Sequence, residues 1–276
     1  METFDKSLLK QLYIPASDSR KGENGKVLII GGSDLFHSPA FWSFEIASKI
    51  VDMVYFSSTD LNNEVLKSLK SKFINGIIVP RDKVEDYIEE ANSVLIGPGL
   101  PRPDGEESED DHSKNLTENL LTKFPHKKWV IDGGSLQTID PEILLSLKMP
   151  ILTPNQKEFS KLFNFQFPRL PKSGTGGQAI SNFQSNPNEQ ILKIQNKVSE
   201  EAKKYGITIL LKGPVDIVCN ENQCLTIEGG NAGMTKGGTG DVLAGLVAAF
   251  YAKNDAFLSA SAASFINKKA GESLEE

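Results

Sequence analysis

Short apolar runs alternate with amphipathic stretches along most of the chain. The runs are rich in valine, isoleucine and leucine and stop at glycine, proline or serine, a pattern typical of buried strands. They lie at residues 26–30, 51–58, 76–80, 93–96, 127–132, 150–153 and 207–211. Helical spacing is found at 41–50, 62–73, 83–91 and 190–205. This alternation predicts an α/β fold, a three-layer α/β/α sandwich in which helices cover both faces of a mainly parallel sheet.

A hairpin is expected to complete the sheet. Its strands, at 216–219 and 224–227, meet around an Asn-Glu-Asn-Gln turn and end at Cys219 and Cys224. These are the two cysteines of the chain. A disulfide between them is one outcome, but we expect two free thiols, and a metal site would need more ligands.

Four of the predicted strands end in glycine-rich or polar loops. These loops lie at 31–33, 97–99, 133–135 and 153–155. Ligands of open α/β sheets bind outside the carboxyl ends of the strands. Loops from distant parts of the chain are therefore expected to form one site, which predicts a single domain over residues 1–276.

Two segments interrupt the alternation. Residues 101–115 are acidic, and residues 168–188 are rich in glycine, serine, asparagine, glutamine and proline. Neither segment can bury much apolar surface, so we expect two mobile insertions. The second follows a predicted site loop, and a lid over the site is the alternative.

Composition and charge narrow the class of function. The net charge of −6 disfavours nucleic-acid binding, which needs a basic face. Anionic small molecules stay compatible, because backbone dipoles can bind them. The first residues are acidic and polar, unlike a signal peptide, and no run of 18 or more apolar residues occurs. We expect a cytoplasmic protein with no membrane partner.

The most informative stretch is a glycine-rich loop, Gly237 to Asp241, that leads into an apolar, alanine-rich helix. The start of a helix carries unpaired N–H groups and partial positive charge, and glycine lets an anion approach the backbone closely. Asp241 is then either the cap of this helix or a base beside a bound phosphate. No Lys-Ser or Lys-Thr follows the glycines, which excludes a P-loop.

A second polar motif, Thr153-Pro-Asn155-x-x-Glu158, follows a predicted strand. On the first turn of a helix, Asn155 and Glu158 share one face. They could order water bound to Mg²⁺, which keeps several waters and takes one or two protein groups. Alternatively, Asn155 is the N-cap and Glu158 completes a capping box.

Three further positions are of interest. Lys212 and Gly213 end a predicted strand, where the lysine could meet a phosphate and the glycine could admit a ribose or a base. Asp132 also ends a strand, and we expect it to hold loop amides. Trp42 is expected in the core.

Together these motifs resemble the ADP/ATP-dependent NAD(P)H-hydrate dehydratase family of the ribokinase-like superfamily. The resemblance covers about residues 20–270 and rests on motifs at 97–100 (Gly-Pro-Gly-Leu), 130–136 (Val-Ile-Asp-Gly-Gly-Ser-Leu), 152–159, 211–213 (Leu-Lys-Gly) and 237–245 (Gly-Gly-Thr-Gly-Asp-Val-Leu-Ala-Gly). It implies an enzyme that phosphorylates the extra hydroxyl of hydrated NADH or NADPH with ADP or ATP. Elimination of phosphate then restores NAD(P)H.

The resemblance also implies roles for individual residues. Asp241 would be the catalytic base, beside backbone N–H groups of Gly238, Thr239 and Gly240. The nucleotide would be bound by Lys212, Gly213, Gly240 and Asn231. The hydrated dinucleotide would be contacted by Pro39, Ala40, Gly99, Asn155 and Asp241. Glu158 and Asn155 would hold Mg²⁺ through water, and the protein would be a homo-oligomer, a dimer or a tetramer.

Three positions depart from the family pattern on the expected substrate side. Asn155 stands where the family has histidine, Ser38-Pro39 where it has Gly-Ala, and Pro101 where it has glycine. The Asn-x-x-Glu motif is closer to the sugar and vitamin kinases of the superfamily. The first alternative is therefore a small-molecule kinase that acts on a hydroxymethylpyrimidine, a thiazole or a sugar alcohol. The second is a nucleotide-binding sensor without catalysis.

Overall fold

The computed structural model describes residues 2–68, 76–102, 110–167 and 187–274. The strands in these residues are β1 Lys26–Ile30, β2 Met53–Ser57, β3 Gly76–Ile78, β4 Ser93–Ile96, β5 Trp129–Ile131, β6 Ile151–Leu152, β7 Thr208–Leu211, β8 Asp216–Cys219 and β9 Cys224–Ile227. They form one nine-stranded sheet in the order β3-β2-β1-β4-β5-β6-β7-β8-β9. The strands from β1 to β7 pair in parallel, and β8 and β9 add an antiparallel hairpin.

Helices cover both faces of this sheet. Their ranges are α1 Ser38–Ala47, α2 Asp60–Ser68, α3 Val84–Glu90, α4 Asp110–Lys123, α5 Gly133–Thr138, α6 Gln156–Phe163, α7 Pro187–Tyr205, α8 Thr239–Tyr251 and α9 Ala256–Ser273. The core cluster on one face includes side chains of α1, α2, α8 and α9, and the cluster on the other includes those of α3 to α7. The prediction of three layers around a mainly parallel sheet is confirmed. Within the described ranges, no helix combines the length and the apolar character that crossing a membrane requires.

Two boundaries differ from the sequence prediction. Residues 110–115 of the expected acidic insertion belong to α4, which is held in place because Thr117, Leu120 and Leu121 are buried. Pro187 and Asn188, at the end of the second expected insertion, begin α7. Residues 103–109 and 168–186 of the two insertions lie outside the described residues, as do residues 69–73 of the helix expected at 62–73.

The hairpin cysteines form a disulfide, so the expectation of free thiols is wrong. The register of β8 and β9 places Cys219 directly opposite Cys224, with their Cα atoms 4.1 Å apart. Side chains at directly opposed positions are near enough to be bridged. The tight turn between the strands thus brings the two thiols together.

The loops at the carboxyl ends of the parallel strands contact one another, as expected. The N–H of Gly32 donates to the carbonyl of Pro98 at 2.7 Å, and the N–H of Gly134 donates to that of Gly97 at 3.1 Å. Gly97 has φ 121°, and a Cβ there would lie 1.8 Å from the carbonyl oxygen of Asp132, so this crossing requires glycine. These contacts form the floor on which the candidate site is built.

Candidate active site

The glycine-rich loop ends at the first turn of α8. Gly238 is the N-cap, with φ 98° in the left-handed region that glycine adopts without strain. Residues 237–240 line a cavity of about 600 Å³, which we call the larger cavity. The first turn of a helix has N–H groups that intrahelical bonds do not use, and its dipole favours negative charge. An anion in this cavity would therefore be stabilised by the start of α8.

Asp241 lies within the first turn of α8 and is not its cap, because Gly238 holds that position. Asp241 lines a second cavity of about 170 Å³, the smaller cavity. Its backbone carbonyl accepts a 2.7 Å hydrogen bond from the hydroxyl of Ser43 in α1. Asp241 borders a space that a small group can enter.

The surroundings of Asp241 favour its protonated form. Burial raises the pKa of Asp241 to about 7, the charge of Asp132 acts in the same direction, and the Lys212 ammonium opposes it. A carboxyl group with a pKa near neutral pH can accept and release a proton under physiological conditions. This property suits a general base.

Lys212 and Asp132 form an ion pair at the junction of the two cavities. The Lys212 Nζ donates to Asp132 Oδ1 at 2.8 Å, and the Thr153 hydroxyl donates to the same oxygen at 2.8 Å. Although burial disfavours the ammonium, the charges of Asp132 and Glu158 raise the pKa of Lys212. The expectation that Asp132 holds loop amides is wrong, because its side chain instead accepts from a lysine and a hydroxyl.

Asn155 and Glu158 form the capping box of α6. The Asn155 Oδ1 accepts from the N–H groups of Lys157 and Glu158, and Glu158 Oε2 accepts from the N–H of Asn155 at 2.8 Å. Burial raises the pKa of Glu158, with Lys212 opposing it. Both residues line the smaller cavity. Across the described ranges, no cluster of three or more His, Cys, Asp or Glu side chains forms a protein-only metal site, so Mg²⁺ held through water stays a prediction.

The residues predicted to bind nucleotide lie together. Lys212, Gly213, Gly240 and Asn231 all line the larger cavity. Other residues that the motifs did not indicate also line this cavity, among them Pro214, Met234, Leu243, Asn267 and Lys268. The last two lie on α9, where the sequence carries no motif and small residues obscure the helical pattern.

Most residues predicted to contact the substrate also lie together. Pro39, Gly99, Asn155 and Asp241 line the smaller cavity, whereas Ala40 is completely buried and does not line it. Gly133 and Gly134, from the loop predicted at 133–135, also line this cavity. The motifs did not indicate that Leu100, Arg102 and Asp132 would line it as well.

Trp42 was expected in the core, and this prediction is wrong. It is 37% exposed, and a Cβ at Gly238 would lie 2.6 Å from its ring. The position follows from the helical spacing of α1, because Phe44 and Ala47 point into the core while Trp42 points towards the glycine-rich loop.

Known proteins share both the sequence and the fold. The chain matches the family model described as NAD(P)H-hydrate dehydratase over residues 27–276. It is 35% identical to the ADP-dependent (S)-NAD(P)H-hydrate dehydratase of Nitrosopumilus maritimus, over 100% of this chain and 90% of that protein. It is 34% identical to the bifunctional NAD(P)H-hydrate repair enzyme of Methanocaldococcus jannaschii, over 96% of this chain and 47% of that longer protein.

Solved structures show the same architecture. A ribokinase-like superfamily protein of Enterococcus faecalis superposes with a TM-score of 0.75 at 22% identity, over 99% of this chain and 88% of that one. The ADP/ATP-dependent NAD(P)H-hydrate dehydratase of Bacillus subtilis, co-crystallised with ATP and Mg²⁺, superposes with a TM-score of 0.72 at 19% identity, over 99% and 90%. The predicted ribokinase-like fold is confirmed. Because the family model covers residues 27–276 and a relative of 35% identity aligns with the whole chain, the protein belongs to the NAD(P)H-hydrate dehydratase family, as its motifs predict.

Proposed function

We propose that the protein is an ADP-dependent NAD(P)H-hydrate dehydratase, which uses Asp241 as its base. One observation carries this proposal. Asp241 lines the smaller cavity, the glycine-rich loop before it lines the larger one, and Lys212, Gly240 and Asn155 border both. Phosphoryl transfer requires a donor and an acceptor on opposite sides of an anion site, with the base on the acceptor side.

The larger cavity suits a nucleotide. Pro214, Met234 and Leu243 provide apolar surface for the nucleobase, while Lys212 and the start of α8 provide positive potential for the phosphates. The relatives from Nitrosopumilus maritimus and Cenarchaeum symbiosum, at 35% and 33% identity, are both named ADP-dependent. We therefore favour ADP over ATP as the donor.

The smaller cavity suits the hydrated ring of NADH or NADPH. Its volume of about 170 Å³ admits one ring, so the rest of the dinucleotide would extend outwards past Pro39, Gly99 and Arg102. Asp241 accepts the proton of the ring hydroxyl while that oxygen bonds to the β-phosphorus of ADP and the bond to AMP breaks. Phosphate then leaves with the electron pair of its C–O bond, and the neighbouring carbon gives a proton to the departing phosphate or to water. The electron pair of that C–H bond restores the ring double bond.

Glu158 and Asn155 are suited to hold Mg²⁺ through water. They supply carboxylate and amide oxygens, the ligand type that Mg²⁺ prefers, at the border of the smaller cavity. The ion would neutralise negative charge on the phosphates. The capping box keeps both side chains in place without the ion.

We also retain the expectations of a homo-oligomer and of a cytoplasmic location.

Recovery of absorbance at 340 nm tests this function. Purified protein is mixed with hydrated NADH, Mg²⁺ and either ADP or ATP, and both the absorbance and the release of phosphate are followed. We expect NADH to be restored with ADP, with one phosphate released for each NADH.

The Asn-x-x-Glu motif makes a kinase the alternative function, so hydroxymethylpyrimidine, hydroxyethylthiazole and ribose are tested in parallel. Phosphorylation of one of these alcohols without recovery of NADH would show that the protein is a kinase and not a dehydratase.

A further inference from the structure

Lys268, on α9, is a buried cation that the proposed reaction does not use. Its side chain is 5% exposed, and its Nζ donates to the carbonyls of Gly213 at 3.2 Å, Pro214 at 3.0 Å and Gly229 at 3.4 Å. Buried lysines are rare unless they are paired. The ammonium here lies 3.5 Å from Asp216 Oδ1, in a shell of backbone oxygens.

The carboxylate of Asp216 also contacts the turn that contains Gly213 and Pro214. Its Oδ1 accepts from the N–H of Gly213 at 2.8 Å, and its Oδ2 accepts from the hydroxyl of Ser264 at 2.7 Å. Ser264 and Lys268 are four residues apart on α9, so they lie on one face of that helix. Both the N–H and the carbonyl of Gly213 are therefore fixed by this charged pair.

Gly229 belongs to a different part of the cavity wall. It lies in the segment between β9 and α8, which continues to Asn231, whereas Gly213 and Pro214 connect β7 to β8. Asn231, Gly213 and Pro214 all line the larger cavity, as Lys268 itself does. One ammonium thus joins the two loops that form this part of the cavity wall.

We propose that Lys268 is a positioning residue for nucleotide binding, which sets the separation of the Gly213–Pro214 turn and the Gly229–Asn231 loop through their carbonyl oxygens. This inference rests on the proposed use of the larger cavity by a nucleoside diphosphate. Lys268 takes no part in phosphoryl transfer, because the base, the anion site and the Lys212–Asp132 pair belong to other elements. Its loss weakens nucleotide binding and leaves the chemical step intact.

The test is a comparison of Lys268→Met with Lys269→Met. Lys269 neighbours it on α9 but is 53% exposed and contacts Glu272 and the ring of Phe265, so its replacement removes the same charge and keeps the three carbonyl contacts of Lys268. Glu272 also accepts from the N–H of Gly230 at 3.0 Å, through the oxygen that does not contact Lys269. For Lys268→Met we expect the Kd for ADP, by calorimetry, and the KM for ADP to rise about tenfold or more, with kcat changed less than about threefold. The pH dependence of kcat stays the same. Lys269→Met keeps wild-type values.

Removing the buried cation alone leaves Asp216 unpaired and could prevent folding. The double variant Asp216→Asn with Lys268→Met contains a neutral pair and keeps an oxygen for the Gly213 N–H. We expect it to regain stability in urea denaturation yet to bind ADP about tenfold or more weakly than wild type. Wild-type affinity in a folded variant, an unchanged KM with a reduced kcat, or failure of both variants to fold would overturn the proposal.

Binding of ADP to the wild-type protein separates this inference from the proposed reaction. A protein that binds ADP but does not restore NADH would overturn the dehydratase function and leave the comparison of variants valid. A wild-type protein that binds no ADP would overturn both.

Discussion

Asp241 depends on neighbouring residues for the properties of a base. Burial and the negative charge of Asp132 raise the pKa of Asp241, whereas the Lys212 ammonium lowers it. The net effect is a pKa of about 7. An ordinary aspartate, with a pKa near 4, would be too weak a base for a hydroxyl group at neutral pH. The ion pair between Lys212 and Asp132 therefore contributes to both nucleotide binding and the tuning of the base.

The pH dependence of the reaction tests this tuning. We expect kcat/KM for hydrated NADH to rise with pH and to level off above an apparent pKa of about 7, because only ionised Asp241 accepts a proton. Asp132→Asn removes a negative charge beside Asp241 and leaves Lys212 unpaired, and both changes lower the pKa of Asp241. The apparent pKa should fall by on the order of one unit in this variant.

The matched control for that experiment is Thr153→Val. It removes the hydroxyl that donates to Asp132 at 2.8 Å but keeps the Asp132 charge. The apparent pKa should stay near the wild-type value. An identical pH profile in wild type and Asp132→Asn would show that another group controls the rate.

Residues whose local motif already suggests a role could be predicted from the sequence. Gly238, Gly240 and Asp241 lie in one short stretch, and Asn155 and Glu158 share one helical turn. The ion pair of Asp132 with Lys212 could not be predicted, because these residues are 80 positions apart and meet only when β5, β6 and β7 pair. Charge pairs between distant strand ends leave no periodic signal.

At the scale of elements, the packing of α1 against α8 connects the two sides of the site. Helix α1 carries Pro39 at the smaller cavity, Trp42 against the N-cap of α8, and Ser43 bonded to the carbonyl of Asp241. The two helices approach closely because Gly245 has no side chain. Helix α1, which contributes to the acceptor side of the site, therefore packs directly against α8, the helix that carries the base.

Gly245→Ala should disturb this contact. A Cβ there would lie 2.5 Å from the carbonyl oxygen of Ser43 and 2.7 Å from Cγ2 of Ile46. The higher helix propensity of alanine favours the change by about 1 kcal/mol, but overpacking outweighs it, and we expect a net loss of about 1–3 kcal/mol in the free energy of unfolding. Urea denaturation measures this loss, and the KM for the hydrate should rise more than that for ADP.

Gly237→Ala is the control for that substitution. Apart from its two chain neighbours, no atom of the described residues lies within 4 Å of a Cβ placed at Gly237, so the stability of this variant should stay within about 0.5 kcal/mol of wild type. Equal stability of the two variants would mean that α1 and α8 can separate without cost.

The elements themselves were predictable to different degrees. Strands such as β1 and β4 contain continuous apolar runs that stop at a glycine, so their carboxyl ends are visible in the sequence. Helix α4 begins inside an acidic segment and buries only part of its length, and the acidic composition hides it. The order of the strands follows from right-handed crossovers and helix packing, which no local pattern contains.

At the scale of the whole molecule, the two cavities lie at the carboxyl ends of the parallel strands. The disulfide lies at the far end of the β8–β9 hairpin. Asp216, at the start of β8, contacts the wall of the larger cavity, whereas Cys219 ends that strand. The disulfide should therefore affect stability more than binding.

Reduction of the disulfide tests this separation. The bond closes a loop of about six residues, so its loss should lower the free energy of unfolding by at most about 2 kcal/mol. The Kd for ADP should change less than about twofold, since the turn at Gly213 keeps its contacts with Asp216. The double variant Cys219→Ser with Cys224→Ser should not respond to dithiothreitol. A large loss of ADP affinity on reduction of a folded protein would connect the hairpin to the site.

The central claim is that Asp241 serves the chemical step and the glycine-rich loop serves the phosphates. Its most direct test is the Asp241→Ala variant, in which turnover of hydrated NADH and the affinity for ADP are measured on the same protein. We predict that kcat falls by about 10²–10⁴-fold while the Kd for ADP stays within about tenfold of wild type. Loss of ADP binding with the fold intact would mean that Asp241 supports the loop, and retained turnover would mean that another group is the base.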